Sequence, residues 1–199
     1  MGLRFDHVLL RVSPPDAARV RDAVADKAWI VAGGAGGIGW ESDQLALIVA
    51  GPDGTAEPPD VAGLTGGSGQ VEQVHKLRST ARPTDVDPPK PGSGVLALRW
   101  FELAAADWDE FVELSVTAWP GFEASYDARI LGLFRSLDAR EPDASALLVT
   151  WYASLAAWEQ SRGTVRASAG AEAEAGRKFL RRHELTHRTI VRVSRTLTS

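Results

Sequence analysis

The sequence of 199 residues has no cysteine, a single methionine and no long apolar segment, and each absence narrows what the chain can do. Without cysteine it forms no disulfide, has no thiolate nucleophile and leaves His, Asp and Glu as the protein ligands for a metal. A membrane-spanning helix needs a run of about 18 apolar residues, which is missing, and Arg4 and Asp6 interrupt the apolar stretch that a secretory signal requires. We therefore expect a cytoplasmic protein with no membrane partner and no cofactor.

Basic residues are fewer than acidic ones, which gives a net charge of -4. This charge argues against a nucleic-acid partner. Residues 177–195 are the exception, with seven Lys and Arg side chains against Glu184 alone. We interpret this cluster as a solvated helix end followed by a strand, because basic runs are more commonly exposed surfaces than phosphate sites. The expected partners of the cluster are the acidic residues Asp107, Asp109, Glu110 and Glu113.

The first half of the chain alternates strand-like and helix-like segments. Residues 4–12 are rich in β-forming side chains, and Ser13 with the prolines that follow it is typical of a helix start. The pattern then predicts strands at 28–32 and 44–50, a helical turn at 61–64 and a half-exposed strand at 70–80. Residues 81–94 are rich in proline and are predicted to form a linker.

The second half repeats this outline, starting from a strand at 94–103. Asp107 and Glu110 predict a capped helix, in which Pro120 favours a kink or break near Trp119. Strands at 128–137 and 145–153, a helix after Ser154, a second helix and a last strand complete the β-α-β-β-α-β order of a ferredoxin-like unit. We therefore predict an α+β fold in which two tandem ferredoxin-like units, 1–80 and 95–199, pack their antiparallel sheets into an α/β barrel.

Two motifs suggest functions that their context does not support. His183, Glu184 and His187 spell the H-E-x-x-H zinc motif, which requires a helix that continues through His187. Residues 186–193 instead alternate as a strand does, so we expect the helix to end at Leu185 and the strand to begin at Thr186. Residues 34–39 spell a G-x-G-x-x-G nucleotide motif, but a strand follows almost at once, and we predict a glycine-rich hairpin.

The segment "LRWFELAAADWDEFVELSVTAWPGFEASYDARILGLFRSL" together with "TWYASLAAWEQSR" resembles the NIPSNAP family of the dimeric α/β-barrel superfamily. The resemblance covers residues 95–197, about half of the chain, and the first half looks like a diverged second copy. It implies ferredoxin-like units that close a barrel. Relatives in the superfamily include cofactor-free monooxygenases, heme-handling proteins, isomerases and cyclases, and the fold does not choose among them.

Candidate site residues are polar and aromatic side chains of the predicted strands, because alternate strand residues would line a cavity inside the barrel. Arg99 and Glu102 have opposite parity, so we expect one of them at the surface. We assign His187 or His75 as a catalytic base and Arg99 or Arg135 as the group that holds an anionic oxygen. The candidate ligand-binding residues are His7, Trp100, Glu102, Trp151 and Tyr152.

These residues predict a small-molecule enzyme or binding protein with an aromatic-lined barrel cavity, acting on an apolar or aromatic metabolite by metal-free proton transfer or cofactor-free oxygen chemistry. The alternative is a non-catalytic stress or interaction protein whose barrel is filled, which a cavity well below ~300 Å³ would favour. A third hypothesis is heme binding through a histidine. A homodimer is a further expectation, since the barrel could close within one chain or across two.

Overall fold

One antiparallel sheet of eight strands organises the computed structural model, which describes residues 2–34, 36–51, 60–90, 92–163 and 171–196. Ala35 of the glycine motif and Pro91 of the linker lie outside the described residues. The predicted strands and helices are confirmed to within a few residues. In chain order they are β1 (Arg4–Arg11), α1 (Pro14–Val24), β2 (Ile30–Gly33), β3 (Gln44–Ala50), α2 (Val61–Thr65), β4 (Gln70–Ser79), β5 (Val95–Ala104), α3 (Trp108–Ser125), β6 (Ala128–Ser136), β7 (Asp143–Tyr152), α4 (Leu155–Gly163), α5 (Ala171–Glu184) and β8 (Thr186–Arg195).

The strand order shows the same arrangement in both halves of the chain. The order is β2-β3-β1-β4-β6-β7-β5-β8, so each half places its second, third, first and fourth strands side by side. The halves join where β4 pairs with β6. The strands β2 and β8 are the two edges of the sheet. Near these edges the described residues show only an isolated bridge, between Val193 of β8 and Ile38 in the segment after β2, and no continuous ladder. The sheet therefore curls within one chain without closing.

Three apolar layers follow from this curled sheet. One lies under the helices of the first half and one under the helices of the second half. The third lies between the two half-sheets, where Phe5, Trp29 and Phe134 pack edge to face with ring centroids 5.2 to 5.5 Å apart. Large buried side chains from both halves thus fill the centre of the molecule, and the cavity expected there is instead found on another face of the sheet.

Two features of α3 differ from the expectation: the helix is not broken near Trp119, and Asp107 does not cap it through its side chain. The helix continues through Pro120 to Ser125, because buried residues on both sides of the proline, Trp119 and Phe122 among them, hold it against the sheet. Asp107 precedes the helix at the N-cap position, but its side chain makes no capping hydrogen bond. Glu110 instead pairs with Arg181 of α5, with Oε1 and Nε 2.7 Å apart. This ion pair was expected, because Glu110 is one of the acidic partners predicted for the basic cluster at 177–195.

The two motif interpretations are confirmed. The helix α5 ends at Glu184 and β8 begins at Thr186, so His183 and His187 lie on different elements. Among the described residues, no three His, Asp or Glu side chains are grouped so that they could hold a metal ion. The glycine-rich segment joins β2 to β3 as an antiparallel hairpin, and Gly34 adopts a positive φ of 87° there.

The linker region lies against the second half of the molecule. Arg82 donates from Nη1 to Glu123 Oε1 at 2.6 Å and to the carbonyl of Ile130 at 3.1 Å. The amide of Leu133 in turn donates to the Arg82 carbonyl at 3.0 Å. No helix within the described ranges is long and apolar enough to cross a membrane. The division into units at residues 80 and 95 stays a prediction.

Candidate ligand-binding site

A cavity of about 400 Å³ lies between the sheet of the second half and the helices that cover it. Its floor comes from β5, β6, β7 and β8, and its roof from α3, α4 and α5. The volume is within the range of about 300 to 1,000 Å³ that ligand sites occupy. The lining residues are Ala97, Arg99, Phe101, Trp119, Phe122, Ile130, Leu148, Thr150, Tyr152, Ser161, Arg162, Phe179, Leu180, Arg182, His183, Thr189 and Val191.

The floor of the cavity follows from strand alternation. Ala97, Arg99 and Phe101 are two residues apart on β5 and therefore face the helices together. Their neighbours across the ladders have the same orientation, since Arg99 pairs with Leu148 of β7 and with Val191 of β8. Because β5 has a hydrogen-bonded partner on each side, the floor is a continuous part of the sheet that holds its side chains in fixed positions.

The roof supplies most of the aromatic surface. Trp119 and Phe122 come from α3 and Phe179 from α5, and the rings of Phe122 and Phe179 meet edge to face at 5.6 Å. The guanidinium of Arg82 lies 5.1 Å from the centre of the Trp119 ring, so the linker supports this wall from outside. An aromatic wall of this kind favours a ligand with a large apolar or aromatic body.

Arg182 is the most unusual residue of the cavity, because its side chain is charged and only 6% exposed. Its guanidinium carbon lies 4.9 Å from the centre of the Phe101 ring and 4.8 Å from that of Phe179. Nη1 also donates to Ser115 Oγ at 3.3 Å, while no ion pair to Arg182 is found within the described part of the chain. Burial, followed by the charge of Arg99, lowers the pKa of Arg182 to about 9.

Arg99 adds a second positive charge beside the first. Its guanidinium also contacts the Phe101 ring, at 6.0 Å from the centre, and burial lowers its pKa although Tyr152 opposes this shift. Arg162 supplies a third guanidinium at the lining, stacked 5.0 Å from the Trp158 ring. The residues that line the cavity include no aspartate or glutamate. The site is therefore aromatic and positively charged.

The structure divides the predicted site residues between two faces of the sheet. Arg99 and Tyr152 line the cavity. His7, His75 and Trp100 lie together on the opposite face, between the two halves, with Trp100 5.4 Å from His7 and 4.8 Å from His75. Trp151 also packs in that layer, and Arg129 lies 5.7 Å from its ring.

Three further predicted residues lie outside the lining of the cavity. His187 is exposed on β8, at the surface. Arg135 covers the ring of Trp108 at 4.8 Å. Glu102 is exposed and pairs with Arg188 at 3.1 Å, which agrees with the expected opposite orientations of Arg99 and Glu102. The catalytic roles assigned to His187, His75 and Arg135 stay predictions that the position of the cavity does not support.

Sequence reasoning missed Arg182, which it placed among solvated basic residues. The signal was present, because Arg182 lies three residues after Phe179 and helical periodicity puts both on one face. The other basic residues of that cluster, such as Arg181, are exposed, as predicted. Trp119 and Phe122 were not among the candidate site residues either; both pack in the core of the second half and also line the cavity.

The residues present do not support binding of a heme iron deep in the cavity. The imidazole at the lining is that of His183, which is exposed at the end of α5. His7 and His75 could not reach a group in this cavity, because they lie across the sheet against Trp100. The interior of the cavity offers guanidinium groups, which do not coordinate metals.

Comparison with solved structures supports the fold. An anthrone oxidase-like protein aligns with 100% of this chain and 92% of its own at a TM-score of 0.57 and 13% identity. A ferredoxin fold protein from Listeria monocytogenes 4b F2365, related to antibiotic biosynthesis monooxygenases, aligns with 100% of this chain and 97% of its own at a TM-score of 0.56 and 8% identity. The heme-degrading enzyme LmHde from Listeria monocytogenes aligns with 94% of this chain and 97% of its own at a TM-score of 0.51 and 9% identity.

These likenesses establish a ferredoxin-like α+β fold whose solved neighbours include monooxygenase-like proteins. No protein-family model matches the sequence, and no curated protein matches it. A NIPSNAP family protein from Agrobacterium tumefaciens str. C58 aligns with 53% of this chain at a TM-score of 0.40 and 15% identity. The NIPSNAP resemblance of the second half is thus not confirmed as family membership.

Proposed function

We propose that this chain binds an apolar or aromatic small molecule in the cavity between the second-half sheet and helices α3 to α5. The observation that carries this proposal is the cavity itself: about 400 Å³, with aromatic residues from two helices and two strands at its lining. The alternative from the sequence is a non-catalytic protein whose barrel is filled. The layer between the two half-sheets is indeed filled, but the helix-covered face of the second half contains a cavity. The residues of the second half therefore support binding over a purely structural role.

A neutral fluorescent probe tests this proposal without knowledge of the natural ligand. N-phenyl-1-naphthylamine emits strongly in apolar surroundings and should bind with a stoichiometry of about one, because such a site is mainly apolar and large enough for it. Thr150→Trp fills the cavity and should abolish this binding, and Thr189→Trp is a second variant should the first not fold. Val71→Trp, on an exposed position of β4, is the matched control and should bind as the wild type does. Equal binding by all variants would contradict the proposed site.

Metal-free oxygen chemistry is a second candidate function. Its support is the presence of cationic Arg99 and the phenol of Tyr152 at the lining, which could stabilise an enolate formed when an aromatic ligand loses a proton. The names of the fold neighbours, among them an anthrone oxidase-like protein, suggest anthrone as a substrate to try. In that reaction anthrone and O₂ give anthraquinone and water. Oxygen uptake that Arg99→Met abolishes would support this candidate, and uptake equal to that of a protein-free solution would contradict it.

A further inference from the structure

The cavity holds more positive charge than the side chains described by the structure balance. Arg99 and Arg182 both contact the Phe101 ring, and neither forms an ion pair with a carboxylate whose side chain the structure describes. Elsewhere in the same half, arginines do find such partners, for example Arg82 with Glu123 at 2.6 Å and Arg181 with Glu110 at 2.7 Å. Arg129 and Arg135 also lie over aromatic rings with no ion pair to a described side chain, but both are exposed or partly exposed. Burial without such a partner therefore distinguishes Arg182.

An unpaired guanidinium buried to this degree is costly for a protein to retain. Taking one charge out of water strongly disfavours the folded state, and a second positive charge nearby adds to that cost. The aromatic rings around Arg182 and the single hydrogen bond to Ser115 recover part of it. An apolar residue would fill the same position at lower cost, so the charge indicates a function that an apolar side chain could not perform.

We propose that Arg99 and Arg182 together bind one carboxylate of the ligand, which makes that ligand an apolar or aromatic carboxylate; this rests on the proposed function of the cavity. A carboxylate is planar and singly charged, and its two oxygens can accept parallel hydrogen bonds from guanidinium groups. The aromatic rings of Phe101 and Phe179 then lie beside the ring or chain that carries the carboxylate. The bound anion supplies a counter-charge that the described side chains around Arg99 and Arg182 do not supply.

Three naphthalene probes of nearly equal shape separate charge from apolar contact. These are 2-naphthoate, the neutral 2-naphthamide and 2-naphthyl phosphate, each titrated calorimetrically into the full chain at pH 7.5. We expect 2-naphthoate to bind at least about tenfold more tightly than 2-naphthamide, since hydrogen bonds to charged groups are about twice as strong as neutral ones. Equal affinities for these two probes would overturn the proposal, and a preference for the phosphate would overturn the assignment of a carboxylate.

Arginine variants locate the preference within the cavity. Arg99→Met and Arg182→Met should each weaken 2-naphthoate binding about tenfold or more while changing 2-naphthamide binding less than about twofold. Arg181→Met is the matched control, because Arg181 precedes Arg182 on α5 but is exposed, pairs with Glu110 and lies outside the cavity lining. Loss of the preference for 2-naphthoate in Arg181→Met to the same extent would contradict the proposed role of Arg99 and Arg182. Survival of the preference in both Arg99→Met and Arg182→Met would contradict it as well.

The melting temperature of the ligand-free protein distinguishes a ligand-binding role from a structural one. Arg182→Met should melt at the same temperature as the wild type or higher, because it removes an uncompensated buried charge. A marked decrease together with an unchanged preference for 2-naphthoate would show that Arg182 is a packing residue. Binding of N-phenyl-1-naphthylamine reports separately on the cavity, so a failed charge preference with intact probe binding overturns the arginine pair and leaves the proposed function standing.

Discussion

His7 is a buried histidine that lies between the two halves of the molecule. It is 3% exposed, pairs across the ladder with His75 and has no described hydrogen-bond partner for Nδ1. Burial, followed by the charges of His75 and Arg192, lowers the pKa of His7 to about 3. Burial lowers the pKa of His75 as well, although Asp138 opposes that shift. Both imidazoles therefore favour the neutral form in the folded protein.

Acid should destabilise the protein through His7. Between its unfolded pKa of 6.5 and its folded pKa of about 3, the unfolded chain binds more protons, so stability is full above pH 6.5 and falls as the pH decreases. The slope is at most about 1.4 kcal/mol per pH unit for one group. His7→Phe removes this group and should give a shallower decline of the free energy of unfolding, measured with urea from pH 7 to pH 4. The exposed control His187→Phe should decline as the wild type does, and equal slopes for all three proteins would contradict the assignment.

At the level of single residues, the sequence predicts which way a strand side chain points. It predicts less well what that side chain then contacts. Parity separated Arg99 from Glu102 correctly, because strand alternation is a local geometric rule. It could not show that the helix side of β5 carries the cavity, since that depends on how closely α3 and α5 approach the sheet. The burial of Arg182 was missed for a related reason: a basic residue in a basic run is exposed in most proteins.

Among the elements, α3 shows how packing overrides a local signal. Pro120 lacks the amide that would donate to the preceding turn, and this predicted a kink or break near Trp119. Buried Ala118, Trp119 and Phe122 hold the helix on the sheet on both sides of the proline, which itself is exposed. The linker gives a second example, because its composition predicted a simple connection while Arg82 joins it to Glu123 and Ile130.

Replacing the proline of α3 should stabilise the protein. Pro120→Ala restores a donor at an exposed position of a helix interior, where proline is about 3 kcal/mol less favourable than alanine, and part of that gain is offset by the more flexible unfolded chain. We expect the free energy of unfolding to increase by about 1 to 2 kcal/mol, measured by urea denaturation. Glu113→Ala, at another exposed position of the same helix, should change it much less. A decrease in Pro120→Ala would show that the proline stabilises the observed geometry.

For the whole molecule, the order of strands and helices followed from hydrophobic periodicity. Which face of the sheet is filled by side chains and which leaves a cavity did not. Alternating strand residues predicted two half-sheets that pack against each other. Whether such a layer is hollow depends on side-chain volumes from both halves at once, and here Phe5, Trp29 and Phe134 fill it. The space for a ligand remains instead under the helices of the second half. A homodimer is not needed to join the two half-sheets, and it stays a prediction.

The filled layer between the halves should make the molecule unfold as one unit. Phe134 of β6 is fully buried and contacts Phe5 and Trp29 of the first half, with ring centroids 5.2 and 5.5 Å apart. Phe134→Ala should lower the free energy of unfolding by about 3 to 5 kcal/mol. Hydrogen exchange measured by mass spectrometry should then show the same loss of protection in β3 as in β7, because both depend on the shared layer. The exposed control Leu180→Ala should leave both unchanged, whereas loss confined to β7 would show that the halves unfold independently.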